Sequence, residues 1–245
     1  MSSAETAAGE IYDGGTGNDT LTDSNASGVA IAIDPGVTFT RIENLFRFTG
    51  GLALTAAQLA SFTGTIQTGA IALSSAGAVD LSGANIVTSA FSLSASGNSL
   101  TLNNTADFTV NRGAGADTVT IVDPLTTGHS AHLYGNGGND TLVGGNSGDT
   151  IEGGAGNDTL TGGAGGDSLT GGAGADLLTG GAGADYYVYN GAADSIGTSY
   201  DTVAGFTAGV DKFDLRPSSA IVVDTPITNT AYIPQGRWSR ISWGR

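Results

Sequence analysis

The sequence predicts an all-β chain whose short strands stack as coils along one axis. Three observations predict it: a nine-residue unit that runs six times without insertion from Gly135, alternating apolar and polar stretches over 26–122, and apolar pairs in that region recurring near every 20 residues.

The six units read GNGGNDTLV, GGNSGDTIE, GGAGNDTLT, GGAGGDSLT, GGAGADLLT and GGAGADYYV. Asp140, Asp149, Asp158, Asp167, Asp176 and Asp185 share one phase, and Leu142, Ile151, Leu160, Leu169, Leu178 and Tyr187 share another. A flexible Gly/Ala linker would hold neither register. Glycine pairs permit positive φ and tight curvature, so the first six positions of a unit predict a turn and the last three a short strand. Such strands are too short to stand alone; two units predict one coil, with apolar residues inside and turns piled along the edges. Asp140 then lies above Asp158, Asp149 above Asp167, Asp158 above Asp176, and Asp167 above Asp185. Coils about 4.8 Å apart bring carboxylates close enough to repel by roughly 3 kcal/mol per pair at an effective dielectric near 20. A cation relieves this. The available donors are carboxylates and glycine carbonyls, the all-oxygen set that suits calcium; magnesium demands a tighter octahedron, and zinc wants the Cys and His that the repeats lack.

The units match GGxGxDxUx and resemble the hemolysin-type calcium-binding nonapeptide of RTX (repeats-in-toxin) proteins. The resemblance implies a right-handed parallel β-roll with several calcium ions held between turns two repeats apart. Carried over by position, the ligands are the carboxylates of Asp140, Asp149, Asp158, Asp167, Asp176 and Asp185 with carbonyls of Gly138, Gly145, Gly154, Gly156, Gly163, Gly165, Gly172, Gly174, Gly181 and Gly183. Asn136 and Ser147 stand where the family has glycine, so the first two turns depart from the pattern. Two single copies lie upstream. GGTGNDTLT at 14–22 matches fully but has no partner turn at the expected spacing, which leaves Asp19 as a ligand or an end cap. RGAGADTVT at 112–120 lacks the first Gly and is out of phase, which makes Asp117 a weaker metal candidate.

Over 26–122 the stretches VAIAID, LALTAAQL, AIALSS, AVDLSG, AFSLSAS, SLTLNN, DFTVNR and DTVTIV predict strands with one buried face. Leu52/Leu54, Ile71/Leu73 and Phe91/Leu93 form one recurring set, and Val79/Leu81, Leu100/Leu102 and Val119/Ile121 another. That period predicts a parallel β-helix whose axis continues into the roll; a β-sandwich with hairpin connections is the alternative. LTAAQLASF predicts one or two helical turns. After the repeats, YDTVAGFTAGVDKFDL at 200–215 resembles the cap that follows RTX arrays, with Phe206, Val210, Phe213 and Leu215 covering the last coil. Asp194, Asp201, Asp211 and Asp214 are read as a terminal calcium site or as solvated carboxylates. The predicted division is an N-terminal segment at 1–25, a β-solenoid at 26–134, the roll at 135–188, a cap at 189–216 and a tail at 217–245. YIPQGRWSRISWGR in that tail holds both tryptophans and three of the eight basic residues, unlike the apolar ends of family secretion signals.

With net charge −15 and no cysteine, the chain is a poor partner for nucleic acid or anionic membranes, and disulfides cannot brace it. No apolar run predicts a membrane span, and MSSAETAAGE lacks the basic and apolar regions of a Sec signal. The resemblance implies export through type I secretion machinery to the extracellular space or cell surface. His129 and His132 in TTGHSAHLY lack a third ligand and read as a loop pair. Without HExxH, GxSxG or a P-loop, the expectation is no enzyme but a calcium-binding structural or interaction module that folds on calcium after export. Two other readings stand beside it: the accessory region of a secreted hydrolase or epimerase, and a surface-layer or adhesin component with cell-surface or self-assembly contacts.

Overall fold

A computed structural model describes residues 11–22, 31–48, 51–88, 90–103, 107–122, 128–191, 194 and 199–216. Among these, every pair of neighbouring strands runs parallel. The hairpin sandwich is thereby overturned: each alternating stretch finds its partner one coil away, not across a tight turn.

Two long sheets carry the stack. One has ten strands: Ile31–Ala32, Leu52–Leu54, Ile71–Leu73, Ala90–Ser92, Phe108–Asn111, Ala131–Tyr134, Thr150–Ala155, Ser168–Ala173, Tyr186–Tyr189 and Lys212–Leu215. The other has seven: Gly77–Leu81, Asn98–Asn103, Thr118–Val122, Thr141–Gly145, Thr159–Ala164, Leu177–Ala182 and Thr202–Ala204. Both pass from the Ala/Ser/Thr-rich coils into the glycine repeats without a break. The recurring apolar pairs fall into register, with Leu52 beside Ile71 and Ile71 beside Phe91 in the first sheet. Val79, Leu100 and Val119 line up in the second.

A third wall of four strands, Thr20–Thr22, Asn44–Phe48, Thr65–Thr68 and Asn85–Ile86, belongs to the upstream coils alone. The coils are therefore three-sided as far as Ile86 and two-sided beyond it. The change precedes the glycine repeats: Phe91 and Phe108 are still buried between two sheets, whereas the later repeats turn inward only one apolar side chain and a glycine, such as Leu160 and Gly162.

The expected helix spans Ala56–Leu59 and packs against Gly77–Leu81. Thr55 caps it by accepting from the Gln58 amide while Gln58 Oε1 accepts from the Thr55 amide, a reciprocal box. Among the described residues no helix is long and apolar enough to cross a membrane.

At the far end, Thr202–Ala204 and Lys212–Leu215 add one last strand to each sheet. Phe206 and Phe213 stack at 4.9 Å, and both lie near 6 Å from the Tyr187 ring. Leu215 packs beside them, but Val210 is 43% exposed, so the expectation that it covers the core is corrected. It sits in the turn between the two cap strands and points outward. Phe213→Ala is expected to lower the stability of the last coils by about 2 kcal/mol, less than a fully buried Phe would cost because the ring is half-exposed; urea unfolding checks it. The tail at 217–245, with its tryptophans, lies outside the described residues.

Candidate metal centre

Strands in the repeats are longer than the expected three residues. Thr150–Ala155, Thr159–Ala164 and Ser168–Ala173 each span the last three positions of one unit and the first three of the next. The turn contracts to residues such as Gly156, Asn157 and Asp158. The correction has a backbone origin: Gly154 and Ala155 still pair with Gly172 and Ala173 although Gly154 has φ 106°. Asn136 adopts the same left-handed region at φ 63°, while Ser147 stays outside it. Carbonyl oxygens of Gly138, Gly145, Gly154, Gly156, Gly163 and Gly165 lie where a Cβ on the glycine one coil further on would stand, so they face the next coil. Gly172, Gly174, Gly181 and Gly183 receive those carbonyls in the later coils and have no room for a Cβ.

The six Asp side chains form two ladders. Oδ1 of each accepts a backbone N–H from the coil before: Asp158 from Asp140, Asp167 from Asp149 and Asp176 from Asp158 at 2.8 Å, and Asp185 from Asp167 at 2.9 Å. Asp140 accepts from Asp117 and Asp149 from Ala131, each at 2.7 Å. The predicted stacking order is what the structure shows, but the carboxylates are tied to backbone as well as facing one another. Their Oδ2 atoms are a different matter. Those of Asp140, Asp158, Asp167, Asp176 and Asp185 are buried with no hydrogen-bond donor.

First-position glycines make this burial possible. A Cβ at Gly135, Gly144, Gly153, Gly162, Gly171 or Gly180 would run into the Oδ2 of the Asp in the same unit. A carboxylate held this way and stripped of water favours its neutral form unless a cation stands by. Burial accordingly pushes Asp158 up to about 6 and Asp167 up to about 7, with neighbouring carboxylates adding to the rise and the backbone amides opposing it. Asp140 and Asp176 move the same way. Among the described residues no three Asp, Glu or His side chains converge on one point. An ion between coils would thus combine carboxylate oxygens with backbone carbonyls, a donor set of oxygen alone that fits calcium.

These raised values fix a pH dependence for the metal-free protein. The folded carboxylates hold protons more tightly than an unfolded Asp near 3.9, so folding takes up protons and stability falls as pH rises through the range from about 4 to 7. In a chelating buffer, the repeats are expected to show more β signal in circular dichroism at pH 5.5 than at pH 8. With calcium present the trend is expected to weaken or reverse, because protons and metal compete for the same oxygens.

Residues outside the six units join the same ladders. Asp201 and Asp211 accept from the amides of Asp176 and Asp185 at 3.1 Å, so each ladder continues into the cap. Asp194 instead accepts from the Asn190 amide in its own loop, and Asp214 pairs with Arg216. Asp19 does have a partner turn, contrary to expectation: its amide donates to Glu43 Oε2 at 2.7 Å. The partner was illegible because its turn is shorter, with Asp13 opposite Thr40 and Thr20 opposite Asn44, and carries Glu instead of Asp. Asp117 lies in the ladder as well, accepting from the Asn98 amide. His129 sits 3.5 Å from Asp107, and His132 is exposed on the outer face of Ala131–Tyr134.

A family model, the RTX calcium-binding nonapeptide repeat, matches residues 6–25, 134–169 and 161–196. No curated protein and no solved structure matches the chain significantly.

Proposed function

Because the chain is an RTX-type calcium-binding repeat protein, we propose that its roll is a non-catalytic module that stays unfolded where calcium is scarce and folds outside the cell when calcium enters between the coils. The observation that supports this reading is the row of buried Oδ2 atoms without donors at Asp140, Asp158, Asp167, Asp176 and Asp185. Each is an oxygen that a divalent ion would satisfy and that water does not reach. With an acidic chain and thin packing in this block, the binding free energy of the metal becomes folding free energy. Type I export fits the same logic, since an acidic, glycine-rich segment without its cation remains threadable.

Isosteric substitution separates the two jobs of each Asp. Asp158→Asn with Asp167→Asn keeps an Oδ1 that accepts the amide of the preceding coil but removes the charge. The double variant is expected to need at least about tenfold more calcium for half-maximal ordering, as read by isothermal titration and circular dichroism. An unchanged calcium midpoint in that variant refutes the assignment of these carboxylates.

A further inference from the structure

The unit at 112–120, which the family match does not include, folds as the repeats do. Thr141 donates to the Asp117 carbonyl at 2.8 Å, as Thr159 does to Asp140, and Asp140 Oδ1 takes the Asp117 amide. Yet its first position is Arg112 where the six later units have glycine. In those units the glycine clears a space beside the carboxylate. Here the first position instead carries a guanidinium to the carboxylate of the next coil: the Arg112 and Asp140 side chains are both fully buried, with Nη1 3.3 Å from Asp140 Oδ1. Nη2 donates to the Thr141 carbonyl at 3.3 Å. Nε and Nη1 have no hydrogen-bond acceptor, and the Oδ2 atoms of Asp117 and Asp140 have no donor. Asp117 and Asp158 also act on the guanidinium through their charge. A buried arginine is costly unless carboxylates compensate it, and carboxylates so buried are costly unless a cation does.

We infer that Arg112 is a built-in counter-ion that takes the place of calcium between the coil of Asp117 and the coil of Asp140. This rests on the reading that calcium neutralises the later coils. The metal array therefore starts with the coils of Asp140 and Asp158, and Asp117 is not a calcium ligand in the native chain. The junction between the coils of Asp117 and Asp140 is neutralised by its own sequence and stays ordered without metal, as the edge of the upstream stack. Later coils then have a folded edge on which to add as calcium arrives.

Counting calcium ions per chain tests this, by native mass spectrometry and equilibrium dialysis on the full-length protein. Arg112→Gly restores the complete motif at 112–120 and is expected to bind about one more ion than the wild type. Adding Asp117→Asn to it is expected to return the count to the wild-type value. Asp117→Asn alone is expected to leave the count unchanged, and this arm stands even if Arg112→Gly folds poorly. In chelator, hydrogen exchange at the amides of Asp117 and Thr141 is expected to be slow in the wild type and faster in Arg112→Gly. No gain of an ion in a folded Arg112→Gly, or loss of one in Asp117→Asn, overturns the role of Arg112 while leaving calcium binding by the roll intact. A wild type that binds no calcium at all overturns both.

Discussion

Calcium added to the chelator-stripped protein is expected to produce a cooperative gain of β signal in circular dichroism, and magnesium at the same concentration is expected to produce none. Selectivity follows from the donors. Carbonyls set against the next coil and carboxylates pinned by Oδ1 to backbone amides offer oxygen donors alone, which suit calcium, whereas magnesium demands a near-ideal octahedron and gives up its waters reluctantly. Each site saturated at about a hundred times its dissociation constant adds about 2.7 kcal/mol, so even a few sites shift the block from mostly unfolded to folded. The upstream coils are expected to retain part of their signal in chelator, because Leu45, Leu59, Phe62, Ile66 and Phe91 give them a core that does not depend on metal. Asp158→Ala with Asp167→Ala is expected to abolish the calcium-dependent step. A full β signal from the repeats after exhaustive chelation at neutral pH contradicts the prediction.

Gly162→Ala is expected to be severely damaging even though Gly162 does not adopt a positive φ. Its Cβ would meet Asp167 Oδ2 and the Gly180 carbonyl together, neither of which is the free end of a flexible side chain. The carboxylate is fixed through Oδ1 to the Asp149 amide, and the carbonyl is part of the next coil. Relief requires the two coils to part, which breaks parallel pairing over the neighbouring strands. A loss on the order of 3 kcal/mol is expected, in the range of overpacking at a rigid site. Urea unfolding in saturating calcium measures it. The contrast is Gly83→Ala, in a turn of the upstream coils where a Cβ meets nothing within 4 Å; it is expected to change stability by less than about 0.5 kcal/mol. Equal effects at both positions contradict the steric account.

The sequence by itself determined the features that repeat. Asp and the apolar residue return in fixed phase, so the order of stacking, the burial of Leu142, Ile151, Leu160 and Leu169, and the continuation of one solenoid axis were all legible. Periodicity encodes these because each coil meets a copy of itself, and a pattern seen once predicts its own partner. Only the tertiary structure decided the features that occur once. The third wall ends at Ile86, Glu43 replaces Asp opposite Asp19, and Arg112 turns its guanidinium inward onto Asp140. The partner of such a residue is set by the length and shape of a neighbouring coil with a different sequence, and no register along the chain records it. The division of labour within each carboxylate was hidden for the same reason. One oxygen serves the backbone of the coil before, the other lies buried beside a glycine of its own unit, and that distinction exists only once the coils are stacked.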